Sequence, residues 1–286
     1  MEIEFSNGHI GVKSFDVDLI DEEGNSIPLY ETYLHHWFAI NFINKNVSHD
    51  PNAHTNPYAD AIFKRNYGTC NGGILPQYWG LGSESRGTTS KIPDPFAVEV
   101  GNPKDIPKGW EEKWLFNIMG FEAPRRNLAL RYKVTWVDWD QQQIPVRFYM
   151  FDSTDRVKTI GSQIRHDCQV EYTIPKNNGD DPFHVQKANN SMDKCGYLIY
   201  GTAHMHSGVV NATLYGQNGN ALCTSTSRYG TGKEAGNEEG YAVEMSVCYP
   251  KPGSIKINDG QIVTVESRYK NEFLTGAMGH MYINFG

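Results

Sequence analysis

The chain has 286 residues, a formal net charge of −7, 39% hydrophobic residues and 21% charged residues. Its aromatic content of 12% and its apolar content exclude a disordered chain, and the acidic balance argues against a nucleic-acid partner, because phosphate affinity needs a basic surface. No apolar run approaches the roughly 18 residues of a membrane span, and the length accommodates one large domain or two medium ones, either of which can bury a core.

In chain order, the opening Met1-Glu2-Ile3-Glu4-Phe5 has neither the basic start nor the apolar stretch of a leader. Glycosylation sequons stand at Asn46, Asn189 and Asn211 and lend mild support to a secreted protein. Short runs rich in aromatic and β-branched residues predict strands at 37–42, 130–137, 146–151, 196–200, 262–267 and 280–285. In 130–137, Leu130, Tyr132, Val134 and Trp136 alternate with Arg131, Lys133 and Thr135, the pattern of a half-buried antiparallel strand. Residues 109–114 can hold one helical turn, and no longer 3.6-period segment is present. The carboxylates of Asp138 and Asp140 read as turn caps. A Gly/Ser/Thr/Pro-rich stretch at 70–95 reads as a long ordered loop with a functional bearing, and 227–240 as a second Gly-rich loop that lacks the phosphate-loop spacing. The polar run 175–182 reads as a domain joint. The expected fold class is therefore all-β, with two antiparallel, jelly-roll-like β-sandwich domains in tandem at 1–176 and 177–286.

Five cysteines contain no C-x-x-C pair, which argues against a zinc ribbon or a thioredoxin-type site. Cys70 reads as structural, Cys168 being one candidate partner, and the pairing stays open.

Four of the ten histidines stand in two tight pairs. In His204-Met205-His206 a strand presents both imidazoles on one face, the geometry of a two-histidine metal grip. The adjacent pair His35-His36 points to opposite faces of a regular strand. One metal takes both only if the strand is distorted there, or if the site sits at its edge or end. Imidazole suits copper, zinc, iron and nickel alike. A cupin reading fails, because Val209, Val210 and Asn211 stand where its third ligand, a Glu, is needed. His9, His49, His54 and His184 read as solvated loop residues.

The segments 28–37 (through His35-His36-Trp37), 72–80 (Gly72-Gly73-Ile74-Leu75-Pro76-Gln77-Tyr78-Trp79-Gly80), 131–140 and 232–238 together resemble the plant stress-up-regulated nodulin-type proteins nearly end to end. At 120–128 the chain departs from that family by lacking a longer cysteine-rich insertion. The resemblance implies plant origin, a stress response and a secretory leader absent from this chain.

More distantly, the order of ligand motifs is similar to the ascorbate-dependent copper monooxygenases that hydroxylate peptidylglycine and dopamine. That resemblance implies a first copper held by His35, His36 and His166, and a second held by His204, His206 and Met278, with Tyr282 completing the Met-x-x-x-Tyr pattern. His280 and Met281 are competing donors to Met278, and His280 shares its face by alternation. The second copper would bind O2 and attack a C–H bond, the first would store an electron, and ascorbate would reduce both. Those enzymes carry an Arg two residues before H-x-H; Thr202 stands there, so a neutral or aromatic small molecule is as good a substrate as a peptide C-terminus. Two other classes compete with this oxidase: a copper-binding or storage protein without turnover, and a metal-free carbohydrate- or protein-binding double sandwich.

Overall fold

The computed structural model describes residues 1–45, 58–68, 70, 77–121, 127–161, 163–176, 179–194 and 196–286. The sequon at Asn46, His49, His54 and Cys195 lie outside them. The described residues form two β-sandwiches in tandem, antiparallel except for a short parallel pair between Phe96–Val100 and Ile144–Pro145 and the isolated parallel bridges Gly230–Glu239 and Gly232–Glu238.

In the first sandwich, Tyr33–Lys45 is flanked by Trp110–Phe121 and by the short strand Trp79–Leu81. The facing sheet is built on Ile10–Ile20, which pairs with Ala129–Asp138 and Phe96–Val100. Alternation turns Trp37 and Ala39 inward with Trp114 and Phe116, onto Phe15 and Val17 of the facing sheet. Phe15 is fully buried, its ring 5.4 Å from Trp79 and from Phe116 and 5.9 Å from Trp114.

Residues 109–114 do not form a helical turn. Trp110 begins the strand Trp110–Phe121, whose 12-residue pairing with Tyr33–Lys45 satisfies a whole ladder where one turn satisfies a few bonds. The alternation at 130–137 holds for Leu130, Tyr132 and Val134, which pack on the core, but Trp136 is 46% exposed. The partner strand has a register shift between Val12 and Ser14, opposite this position, and a bulge breaks the period of two. Asp140 does cap its turn, its Oδ1 accepting from Gln142 N at 2.7 Å.

The second sandwich pairs the order Arg147–Asp152, His280–Phe285, Gly196–His204, Lys256–Ile257 against a five-stranded sheet from Phe183–Ser191 to Ala242–Met245. Arg147–Asp152 and Glu171–Ile174 precede residue 176 yet pair with His280–Phe285 and Leu274–Met278, so strands of the C-terminal sandwich begin at Arg147. His184 is half-buried in the strand Phe183–Ser191 rather than in a loop, and His9 hydrogen-bonds Glu99 at 2.8 Å. Disulfides join Cys70 to Cys168 and Cys223 to Cys248.

The sandwiches meet along the outer face of Tyr33–Lys45. There Phe38 and Ile40 pack on Met278, while Phe148, Met150 and Tyr282 cluster on the facing sheet. The ring of Phe15 anchors the first core, so Phe15→Ala is expected to cost about 3–5 kcal/mol in urea unfolding, from lost transfer and the cavity left behind. Trp136→Ala, on the exposed flank, is expected to stay within about 0.5 kcal/mol.

Candidate metal centre

The adjacent pair His35-His36 sits at an irregularity. Pairing of Tyr33–Lys45 with Trp110–Phe121 shifts register between Leu34 and His36. A bulge suspends the alternation that would send the two rings to opposite faces, and their Nδ1 atoms lie 3.1 Å apart. The H-x-H pair closes the strand Gly196–His204, with Met205 turned into the core and the rings of His204 and His206 5.1 Å apart.

These two pairs, about 170 residues apart in sequence, come together where the sandwiches meet. The His35 and His206 rings are 3.8 Å apart and those of His36 and His204 6.4 Å apart. His35, His36 and His206 each offer a nitrogen within 4.8 Å of the others. His35 and His206 are buried and His36 is half-buried. Two nitrogens about 2.05 Å from one ion lie about 2.9 Å apart in square-planar and about 3.4 Å apart in tetrahedral geometry, so the 3.1 Å between His35 and His36 suits a shared ion.

Each imidazole also has an outer partner. His206 Nδ1 donates to the Gly276 carbonyl. A carbonyl only accepts, so the proton is on Nδ1 and Nε2 keeps a bare lone pair; that atom is buried without a protein partner. His204 Nδ1 lies 2.6 Å from Glu84 Oε1, both side chains fully buried, and His204 Nε2 has no protein partner either. His36 hydrogen-bonds Asn117, and His35 Nε2 lies 4.0 Å from Glu171. Outer partners of this kind fix ring orientation and tautomer in metal sites.

Glu84 gave no signal in the sequence. It is delivered by the 3-10 turn Ser83–Arg86 within the 70–95 stretch, whose functional bearing was expected. The two glycines before the turn permit this approach. A Cβ on Gly82 would stand 2.2 Å from the His35 carbonyl and 2.8 Å from His204 Cε1, and one on Gly80 2.4 Å from Phe38 and from the Tyr282 hydroxyl.

The other expected ligands are placed differently. His166 lies on the hairpin Arg156–Ile160/Gln163–Asp167, is held at 2.7 Å by Asp155, and is not among the imidazoles whose nitrogens lie within 4.8 Å of one another. Met278 is fully buried against Phe38 and Ile40, and the Phe38 ring stacks on His36 at 4.4 Å. The Tyr282 hydroxyl donates to Gln77 Oε1 at 2.6 Å.

Burial, reinforced by the neighbouring imidazoles, holds His204 and His206 well below the ordinary imidazole range. It takes His36 down to about 3 and lowers His35. Burial pushes the Glu84 carboxyl up to about 8. All five groups are therefore neutral near pH 7 without a metal, and a cation can bind without displacing a charged side chain from the cluster.

A sequence profile of the family described as "Stress up-regulated Nod 19" matches residues 1–123 and 119–286. No curated protein matches the chain. Among solved structures, the VP2 subviral particle of infectious bursal disease virus is 13% identical, with a TM-score of 0.25 over 97% of this chain and 58% of that chain. Its T=1 particles give 14% identity and a TM-score of 0.24 over 97% and 56%. The chain spans less than two thirds of those viral chains, and scores this low carry no argument.

The pH dependence of metal-free stability follows from the cluster. As pH falls below 6.5 the unfolded chain protonates its histidines while the buried ones resist, so the native state loses ground. Glu84 acts oppositely: its contribution is complete below about 4.5 and is lost as pH rises through about 8. Four imidazoles outweigh one carboxyl on the acid side, so the urea midpoint should peak near pH 6.5 and decline toward both pH 5 and pH 8. Glu84→Gln should abolish the alkaline decline and leave the acid limb; a midpoint still rising at pH 8 in the wild type would refute the neutral carboxyl.

Proposed function

The chain belongs to the stress up-regulated Nod 19 family, and we propose that it is a copper-binding protein whose metal sits between the two sandwiches on His35, His36 and His206. The observation that carries this reading is His206 Nε2: a bare imidazole lone pair, buried and without a protein partner, beside two further imidazoles. An all-nitrogen donor set ranks copper first among the common divalent first-row metals, and a spacing between the square-planar and tetrahedral values tolerates both copper oxidation states. Because bound copper cycles between those states, the chemistry it would supply is electron transfer to O2 with ascorbate as the reductant. The substrate would be a small neutral or aromatic molecule, since Thr202 stands where a carboxylate-binding Arg would be needed for a peptide terminus.

This chain's own residues orient and shield the site. Glu84 and the Gly276 carbonyl aim His204 and His206, Phe38 covers one face of His36, and the two sandwiches keep bulk water from His35 and His206. His36, being half-buried, is the imidazole nearest solvent and marks the approach to the metal. The ligand set proposed here omits His166, which Asp155 holds elsewhere.

A site assembled only in the folded chain holds copper more tightly than the scattered histidines of the unfolded one, so copper is expected to raise the melting midpoint. A concentration 100 times Kd corresponds to about 2.7 kcal/mol. Metal-to-chain ratios after copper loading and desalting should show retained copper, and His206→Ala should lose an ion together with its share of the thermal shift. Retention of no copper by the wild type would overturn the reading. Oxygen uptake driven by ascorbate then separates an oxidase, which consumes O2 only with copper loaded, from a protein that holds copper without turnover.

A further inference from the structure

The outer face of the first sandwich carries a cleft that the histidine cluster does not use. Its volume is about 460 Å³, within the roughly 300–1,000 Å³ of small-molecule sites. The floor is the solvent side of the strands Ile10–Ile20 and Ala129–Asp138, where Asp16 lies directly opposite Lys133 and Asp18 directly opposite Arg131. Residues directly opposite across paired strands share one face. The wall is the end of the Ser83–Arg86 turn and the residues that follow it through Thr89. One turn therefore faces two ways: Glu84 reaches inward to His204, and Arg86 closes the cleft.

The charges around the cleft fall into two sets. Asp18 is saturated, its Oδ1 accepting from Arg86 and its Oδ2 from Arg131 and the Ser26 hydroxyl. Arg86 also donates to the Ile27 carbonyl and to Glu238. These groups satisfy one another and fix the shape of the cleft. Asp16 and Lys133 form the other set. Among the described residues, neither side chain makes a hydrogen bond or a close ion pair. They act on each other at longer range: desolvation raises the Asp16 carboxyl above the ordinary carboxylate range, and Lys133 pulls it back.

This lining selects a ligand by chemistry. Val17 is the one apolar side chain among the described residues that line the cleft, and no aromatic ring is among them, so an apolar molecule gains little there. A dianion such as phosphate meets the Asp16 carboxylate at close quarters. An ammonium group needs several acceptors, and with Asp18 saturated it finds Asp16 alone. The hydroxyl oxygens of Thr88 and Thr89 already accept the backbone N–H groups of Met245 and Lys91, which leaves their protons to donate. The cleft thus offers a cation and two hydroxyl donors against one carboxylate. We propose that it binds a sugar acid, a polyhydroxylated monocarboxylate of the uronate class, with Lys133 on the carboxylate and Asp16 accepting from two neighbouring hydroxyls. Both contacts are charge-assisted. A free sugar acid and the end of a polyuronate chain carry the same chemistry. None of His35, His36 and His206 lines the cleft, so the proposal stands apart from the copper reading.

Nuclear magnetic resonance titration of the full-length chain with galacturonate, trigalacturonate, glucose, glycine and acetate tests it. Galacturonate is expected to saturate one site per chain and to bind at least about tenfold more tightly than glucose, because a hydrogen bond to a charged group is worth that factor. Lys133→Gln is expected to remove the preference for galacturonate and leave glucose as in wild type. Asp16→Asn is expected to weaken galacturonate by about tenfold. Both residues are exposed, and an unchanged melting midpoint confirms that each variant folds. Trigalacturonate binding more tightly than galacturonate supports a chain end as the occupant, and the reverse order supports the free sugar acid. Absence of saturable binding by either uronate overturns the proposal. So does glycine or acetate binding as tightly as galacturonate, or galacturonate binding that is unchanged in both variants.

Discussion

The rest of the structure is arranged around the burial of imidazoles where two apolar sandwiches meet. An imidazole buried without partners is costly, because each ring nitrogen must lose water. The chain meets that cost at the outer edge of the cluster. Glu84, Asn117 and the Gly276 carbonyl each bond one histidine, and Glu171 approaches a fourth. It leaves it unmet at His204 Nε2 and His206 Nε2. These unmet nitrogens coincide with the neutral protonation state that burial imposes.

Convergence depends on two local departures from regular strand geometry. In Tyr33–Lys45 the register shift near His35 lets adjacent residues serve one site. At His204 the strand ends, and His206 is carried into the following turn with its backbone N–H donating to the Tyr269 hydroxyl at 3.0 Å. That hydroxyl in turn donates to the Met278 carbonyl at 2.6 Å, tying the H-x-H turn to Leu274–Met278 and to the Gly276 carbonyl that orients His206. Gly80 and Gly82 complete the arrangement by admitting the Glu84 turn, since a side chain at either position would collide with Phe38 or with the His35 backbone.

The two histidine pairs belong to different sandwiches yet meet at one place. His35-His36 and His204-x-His206 share one interface, and His166 is the partner of Asp155 on an exposed hairpin. A motif order specifies which imidazoles exist. Which of them meet is decided by how far apart the sandwiches hold their faces, and here they are in contact through Phe38, Ile40 and Met278.

The all-β class, most of the strands and the two histidine pairs were legible in the amino-acid order, because period-two alternation and H-x-H spacing are local properties. The strand at 280–285 coincides with His280–Phe285, while the H-x-H pair straddles a strand end, His204 closing Gly196–His204 and His206 lying beyond it. The short span 109–114 misled because a Gly-Trp-Glu-Glu-Lys-Trp run satisfies one helical turn as well as a strand, and only pairing with Tyr33–Lys45 decides between them. What tertiary structure alone decided is the assembly of the site. Glu84 sits in a polar stretch without periodicity, and the bulge that turns His35 beside His36 exists only against its partner strand. Cross-strand register and the contact between sandwiches are long-range quantities. No local pattern of residues encodes them, and they are what brings two pairs of histidines into one cluster.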